Sequence, residues 1–111
     1  MTIEQGDIVL LNFDPTLGHE QAGSRPALVV SKTIYNQNTG FIVVCPITSK
    51  LKSFPMWVSL DEQTTTKGFV ICEHIKTIDT IARNPIFIEH INENVLDKVL
   101  AIVNSVIEKD K

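Results

Sequence analysis

The chain has 111 residues, of which 43% are hydrophobic and 21% charged, and its formal net charge is −3. This length predicts a single domain over residues 1–111 with one hydrophobic core. A membrane-spanning helix is excluded because no apolar run approaches roughly 18 residues. The acidic N-terminus also lacks the basic and apolar regions of a signal peptide, so we expect a cytoplasmic protein.

The first half of the chain alternates apolar runs with polar turns, a pattern typical of short β-strands. It predicts strands over residues 8–13, 26–31 and 41–47. The third run is almost continuously apolar, which is typical of a central strand buried on both faces. Residues 32–40 between the last two strands are polar, with room for one helical turn.

The second half predicts strands over residues 56–60, 68–75 and 77–82, and then the hydrophobic period changes from two residues to that of a helix. Asn92 is placed to cap this helix. Five or six strands followed by one helix favour a mainly β fold, a small barrel whose C-terminal helix covers one opening. The apolar stripe of the helix consists of Val95, Leu96, Val99, Leu100, Val103, Val106 and Ile107.

The two cysteines, Cys45 and Cys72, lie inside apolar runs. We therefore expect buried reduced thiols that pack as small hydrophobic side chains. A metal site would need further cysteine or histidine ligands at short spacing, and the sequence offers none.

The net negative charge is unevenly distributed. Between Pro15 and Ile86 there are seven basic and five acidic residues, a net charge of +2, whereas both ends of the chain are acidic. The middle of the chain can therefore present a basic surface to nucleic acid although the whole chain is acidic.

Residues 14–26 form a polar loop between two predicted strands and hold the densest set of chemical groups in the chain. Arg25 stands directly before Pro26 and the second strand, so its guanidinium is fixed at a strand entrance. A guanidinium is planar, permanently charged and bidentate, which suits a phosphate. The alternative interpretation is a solvated loop with a surface ion pair between Glu20 and Arg25.

Thr48 and Ser49 follow the central strand and supply hydroxyl and backbone N–H groups. Taken alone, this pair is also typical of an ordinary turn.

Three segments closely resemble the PemK/MazF/Kid family of toxins. Residues 14–31, DPTLGHEQAGSRPALVVS, resemble the first block of that family; residues 46–49, PITS, resemble the second; and residues 68–79, GFVICEHIKTID, resemble the third. Together with the Gly6-Asp7-Ile8 start and the closing helix, the resemblance spans nearly the whole chain.

The resemblance implies an SH3-like barrel, a homodimer and sequence-specific cleavage of single-stranded RNA. It implies cleavage without a metal or other cofactor, through attack of the 2′-hydroxyl, leaving a 2′,3′-cyclic phosphate and a 5′-hydroxyl. It also implies a cognate antitoxin whose flexible acidic segment lies across the RNA-binding groove.

The family's catalytic arginine falls on Arg25 and its catalytic threonine on Thr48, while His19 and Glu20 match positions that assist catalysis or RNA binding in some members. The general base and general acid stay open among Glu20, His19 and Arg25. Candidates for RNA binding are Gln21, Ser24, Ser49, Lys50, Lys52, Phe54, Glu73, His74 and Lys76.

Some positions depart from the family pattern. Ile71 and Glu73 stand where some Kid-like members carry an arginine and an aspartate, although other members have glutamate at the position of Glu73. His74 stands where glutamine is more usual, so the preferred RNA motif can differ. Phe54 and Trp57 also fit the core or an interface.

A fold of this kind suits two other functions: a toxin like CcdB that binds DNA gyrase without cutting RNA, and a plain interaction module. The first does not need Arg25 and Thr48 together, and the second leaves the dense polar loop unexplained.

Overall fold

The computed structural model describes residues 2–12, 24–50 and 54–111. Within these residues the strands form one antiparallel sheet in the order β4-β5-β3-β2-β1-β7, with β6 also paired to β3. The elements are β1 (Asp7–Asn12), β2 (Ser24–Val29), α1 (Thr33–Thr39), β3 (Phe41–Thr48), β4 (Trp57–Ser59), β5 (Phe69–Ile71), β6 (Lys76–Asp79), α2 (Thr80–Arg83), β7 (Ile86–His90) and α3 (Glu93–Val106).

The mainly β fold with a C-terminal helix is confirmed. Over the described part of the chain, no ladder joins β4 to β7, so the sheet is barrel-like rather than closed. The same residues contain no helix long and apolar enough to cross a membrane.

The structure differs from the predicted elements in the second half of the chain. Residues 77–82 are not one strand, because the Asp79 carboxylate accepts hydrogen bonds from the amides of Ile81 and Ala82 and starts α2. Strand β5 is shorter than predicted, since a turn follows it in which the His74 amide donates to the Ile71 carbonyl. Strand β7 is an element that the sequence did not predict. In the first half of the chain, α1 has two helical turns rather than the one predicted.

One face of the sheet packs against α3. Asn92 caps this helix as predicted, with its side chain accepting from the Val95 amide at 3.0 Å. Val99 and Leu28 are fully buried between helix and sheet. Both cysteines are free thiols and belong to the apolar core between α3 and the sheet. Burial raises the pKa of Cys45 to about 12 and that of Cys72 to about 11, so both stay protonated.

The opposite face carries a second apolar cluster, made from the alternate residues of the same strands. Towards one end of β2 and β3 this face changes character, because the positions that continue the cluster are occupied by Arg25 and Thr48. The fold thus places two polar side chains at the edge of a rigid apolar face. The cluster consists of Val9, Leu11, Ala27, Val29, Ile42, Val44 and Ile78.

Candidate active site

Arg25 and Thr48 lie on neighbouring strands at the same level. Strands β2 and β3 are antiparallel, with Ala27 opposite Pro46, and continuing that register by two residues brings Arg25 opposite Thr48. Residues that face each other across an antiparallel pair project to the same side of the sheet. On the other side of β2, Leu11 of β1 lies opposite Arg25. The two predicted catalytic residues are therefore adjacent although they are far apart in sequence.

Both side chains line one pocket of about 190 Å³. Arg25 is half-buried and Thr48 is only 4% exposed. The described lining includes three cationic side chains, Arg25, Lys50 and Lys67, and no carboxylate. Such a set attracts an anion, and the fixed guanidinium suits a phosphate group. The complete described lining is Arg25, Pro26, Ile47, Thr48, Ser49, Lys50 and Lys67.

Thr48 is held tightly at the end of β3. Its hydroxyl oxygen accepts a hydrogen bond from the Lys50 amide at 3.2 Å, which leaves the hydroxyl hydrogen able to donate to a ligand. Directly before β5, Gly68 has a φ of +122°, and a Cβ placed there would lie 2.0 Å from the Thr48 carbonyl oxygen. Only glycine fits this close approach, so Gly68 helps to fix the position of Thr48.

The pocket brings together four of the predicted site residues: Arg25, Thr48, Ser49 and Lys50. Ser24 begins β2 beside Arg25 and is exposed, but it lines a different pocket together with Asn12. His19, Glu20, Gln21 and Lys52 lie outside the described residues.

Phe54 lies outside the core, since its side chain is 47% exposed. Its ring meets Trp57 edge to face, with the ring centroids 4.7 Å apart, and Trp57 in turn faces Phe69 at 6.1 Å. A partly exposed ring supported in this way is able to stack on a base, as the sequence predicted, or to join an interface.

Glu73, His74 and Lys76 are not among the described residues that line the pocket. Glu73 and His74 are exposed in the turn after β5. Lys76 pairs with Val44, four residues before Thr48 on β3, which corresponds to roughly 13 Å along the strand. Their role in RNA binding stays a prediction.

Sequence reasoning missed Lys67 as a site residue. The side chain is exposed, lines the pocket and donates to the Thr64 carbonyl at 2.6 Å. The signal available in the sequence was its place directly before Gly68, but only the pairing of β5 with β3 shows that this end of β5 meets Thr48.

Comparison with known proteins gives consistent results. A family model described as "PemK-like, MazF-like toxin of type II toxin-antitoxin system" matches residues 4–107. The chain is 37% identical over 109 residues to the endoribonuclease PemK of Escherichia coli, covering 95% of this chain and 82% of that protein. It is 40% identical over 80 residues to the endoribonuclease toxin MazF of Escherichia coli K12, covering 72% and 71%.

Solved structures show the same similarity. The crystal structure of MazF from Deinococcus radiodurans has a TM-score of 0.86 and 36% identity, covering 96% of this chain and 97% of that one. A MazE-MazF crystal structure from the same organism matches equally well, with a TM-score of 0.86 and coverage of 96% of each chain. These matches give no support to the gyrase-binding alternative.

Proposed function

This chain is an endoribonuclease toxin of the PemK-like, MazF-like family of type II toxin–antitoxin systems, and we propose that Arg25 and Thr48 form the centre of its RNA-cleaving site. The observation that carries the proposal is that Arg25 and Thr48, on paired neighbouring strands, line one pocket. This places a permanent cation beside a buried hydroxyl, together with two further cations.

The reaction we propose uses the substrate's own 2′-hydroxyl as the nucleophile. The 2′-oxygen forms a bond to the adjacent phosphorus as its proton leaves to a general base, and the bond to the 5′-oxygen breaks as that oxygen gains a proton. The products are a 2′,3′-cyclic phosphate and a 5′-hydroxyl. The phosphorane between them carries extra negative charge, which Arg25 stabilises. Thr48 donates a hydrogen bond to a non-bridging oxygen and holds the phosphate in line.

The described lining holds neither a carboxylate nor an imidazole, so an ordinary general base or acid has to come from outside it. Glu20 and His19 precede Arg25 by five and six residues and are the candidates, with Arg25 itself as the third. An imidazole titrates near neutrality and suits either step. We propose that Glu20 accepts the 2′-proton or that His19 serves one of the two transfers.

We propose that single-stranded RNA runs through the pocket with its bases turned outward, so that their edges are read by neighbouring side chains. Ser49 and Lys50 lie at the cleavage pocket itself. Charge and stacking farther along the strand would come from the other candidates, Gln21, Ser24, Lys52, Phe54, Glu73, His74 and Lys76.

We propose catalysis without a metal ion. The donor set of the described lining is cationic, whereas Mg²⁺ sites are built from carboxylate and carbonyl oxygens. Cleavage in the presence of a chelator is the direct test.

The partners we propose are a cognate antitoxin and a second copy of the chain. A relative from Deinococcus radiodurans is seen together with MazE, and a flexible acidic segment is the chemistry that fits three clustered cations.

For the homodimer, the edge strand β7 exposes Ile86, Phe87 and Ile88, and nearby Ile81 is 90% exposed. Apolar side chains on an open edge favour association. A cytoplasmic location and a single domain over residues 1–111 stay predictions.

The test uses purified protein, a long RNA and EDTA, with Arg25→Ala as the matched control. We expect discrete cuts that end in a 2′,3′-cyclic phosphate and a 5′-hydroxyl in the wild type, and cleavage slower by about a hundred- to a thousandfold in the variant. Normal cleavage by a folded Arg25→Ala protein would overturn the assignment. Cleavage that needs added metal would overturn the metal-independent mechanism.

A further inference from the structure

The turn that joins β4 to β5, residues 61–67, is unusually well tied. Thr64 is only 3% exposed, and its hydroxyl lies 2.7 Å from the Thr66 carbonyl and 3.1 Å from the Asp61 carbonyl. The Asp61 carboxylate also accepts from the Gln63 amide at 3.0 Å. The turn is thus closed internally by side chains as well as by its backbone.

A single carboxylate fastens this turn to a distant strand. Glu89 on β7 accepts hydrogen bonds from the amide and the hydroxyl of Thr65, at 3.1 and 2.8 Å, and from the amide and the hydroxyl of Thr66, both at 2.7 Å. Burial raises the pKa of Glu89, but these hydrogen bonds outweigh it and lower the pKa to about 2. Four bonds to one charged acceptor restrain the turn strongly.

Lys67 directly follows Thr65 and Thr66, the two residues that Glu89 holds, and contacts on both sides restrain it. Its ammonium donates to the Thr64 carbonyl at 2.6 Å, which uses one of its three N–H donors. The following residue, Gly68, lies against the Thr48 carbonyl. Lys67 is therefore held at a defined place in the pocket beside Thr48 rather than at the end of a loose loop.

We propose that Lys67 binds a backbone phosphate of the RNA next to the one held by Arg25 and Thr48, and that Glu89 positions Lys67 through the turn. This inference rests on the proposed function. Arg25 and Thr48 hold the phosphate that is cleaved. The ammonium of Lys67, in the same pocket, therefore meets a neighbouring phosphate of the strand. A compact ammonium recognises a phosphate as a point charge, without reading sequence, so Lys67 contributes affinity and register rather than base preference.

The experiment compares Lys67→Met with Lys67→Arg and with Lys98→Met, a matched loss of charge on α3. Binding is measured over a range of salt concentrations with a 2′-fluoro oligonucleotide of the sequence that the wild type cuts, which cannot be cleaved. We expect Lys67→Met to weaken binding roughly three- to tenfold at low salt and to make the plot of log affinity against log salt shallower by about 0.7. Its KM rises while kcat stays within about twofold.

We expect Lys67→Arg to retain the salt slope and Lys98→Met to leave both slope and affinity unchanged. An unchanged slope in Lys67→Met would overturn the inference while the wild-type cuts still support the proposed function. A wild type that cuts no RNA would instead reject the proposed function itself.

The positioning role of Glu89 is tested by adding Glu89→Gln to each protein. If Glu89 acts through Lys67, the change weakens RNA binding in the wild type but has little further effect in the Lys67→Met variant. Equal losses in both backgrounds would overturn that role, and a thermal denaturation curve of each variant separates this from a general loss of stability.

Discussion

The two faces of β2 and β3 are built from alternate residues of the same strands, yet one packs against α3 and the other carries the candidate active site. The face under α3 carries apolar side chains of both strands, including Leu28 and Cys45, which are fully buried. The opposite face begins with Ala27 and Val44 and ends in Arg25 and Thr48. The packing of one face against α3 fixes the positions of the strands, so the other face can carry a cluster of positive charges in a defined geometry.

The largest expected effect is on the polar face. Arg25→Ala should lower the rate of RNA cleavage about a hundred- to a thousandfold, because one charge-stabilising group is lost from the transition state. The thermal midpoint should change little, since the half-buried side chain lies at the start of β2. Arg25→Lys tests geometry against charge: a full rescue by lysine would contradict a bidentate role for the guanidinium.

Gly68→Ala breaks the contact between the polar face and β5. The substitution forces an unfavourable φ of +122° and an overlap with the Thr48 carbonyl, so we expect about 3 kcal/mol or more of lost stability together with slower cleavage. Gly40→Ala is the control, because its φ is +74° but a Cβ there meets nothing within 4 Å. If denaturant unfolding showed the same loss of stability for both variants, the close approach to Thr48 would contribute nothing to stability.

Val99→Ala tests the packed face. The side chain is completely buried, and its truncation should lower the free energy of unfolding by about 2 kcal/mol through lost burial and a residual cavity. Cleavage per folded molecule should stay unchanged at a temperature where the variant is folded. Val106→Ala, on the same helix but 41% exposed in the wild type, should have almost no effect on either quantity. A drop in kcat for folded Val99→Ala would mean that the two faces are coupled.

The smallest effect concerns pH. Since the folded state lowers the pKa of Glu89 from 4.5 to about 2, the stability it contributes is fully present above the unfolded value and is lost as pH falls towards 2. The difference in thermal midpoint between the wild type and Glu89→Gln should therefore be largest above pH 5 and shrink as pH falls from about 5 to 2. A constant difference across this range would show that the carboxylate charge plays no part.

Much of the first half of the chain could be predicted because its apolar runs are bounded by clear turn residues. The run before Thr48 is recognisable as a strand because it is almost continuously apolar, and the helical stripe ending at Ile107 is recognisable from its period. The missed strand β7 has exposed side chains at Ile86, Phe87 and Ile88, so it has neither the alternation of a half-buried strand nor a buried position. The short helix α2 depends on one capping side chain, Asp79, within a stretch that otherwise resembles a strand.

The class of the fold, its closing helix and the residue types needed for phosphate chemistry follow from the sequence alone, because hydrophobic period and local motifs are properties of neighbouring residues. Which of these residues meet depends on how the strands pack in three dimensions. Arg25 and Thr48 share a pocket because β2 and β3 are paired neighbours, and Lys67 joins them because β5 pairs with the end of β3 and Gly68 lies against Thr48. Such pairings connect distant parts of the chain, and they depend on the packing of all the strands together rather than on any single segment.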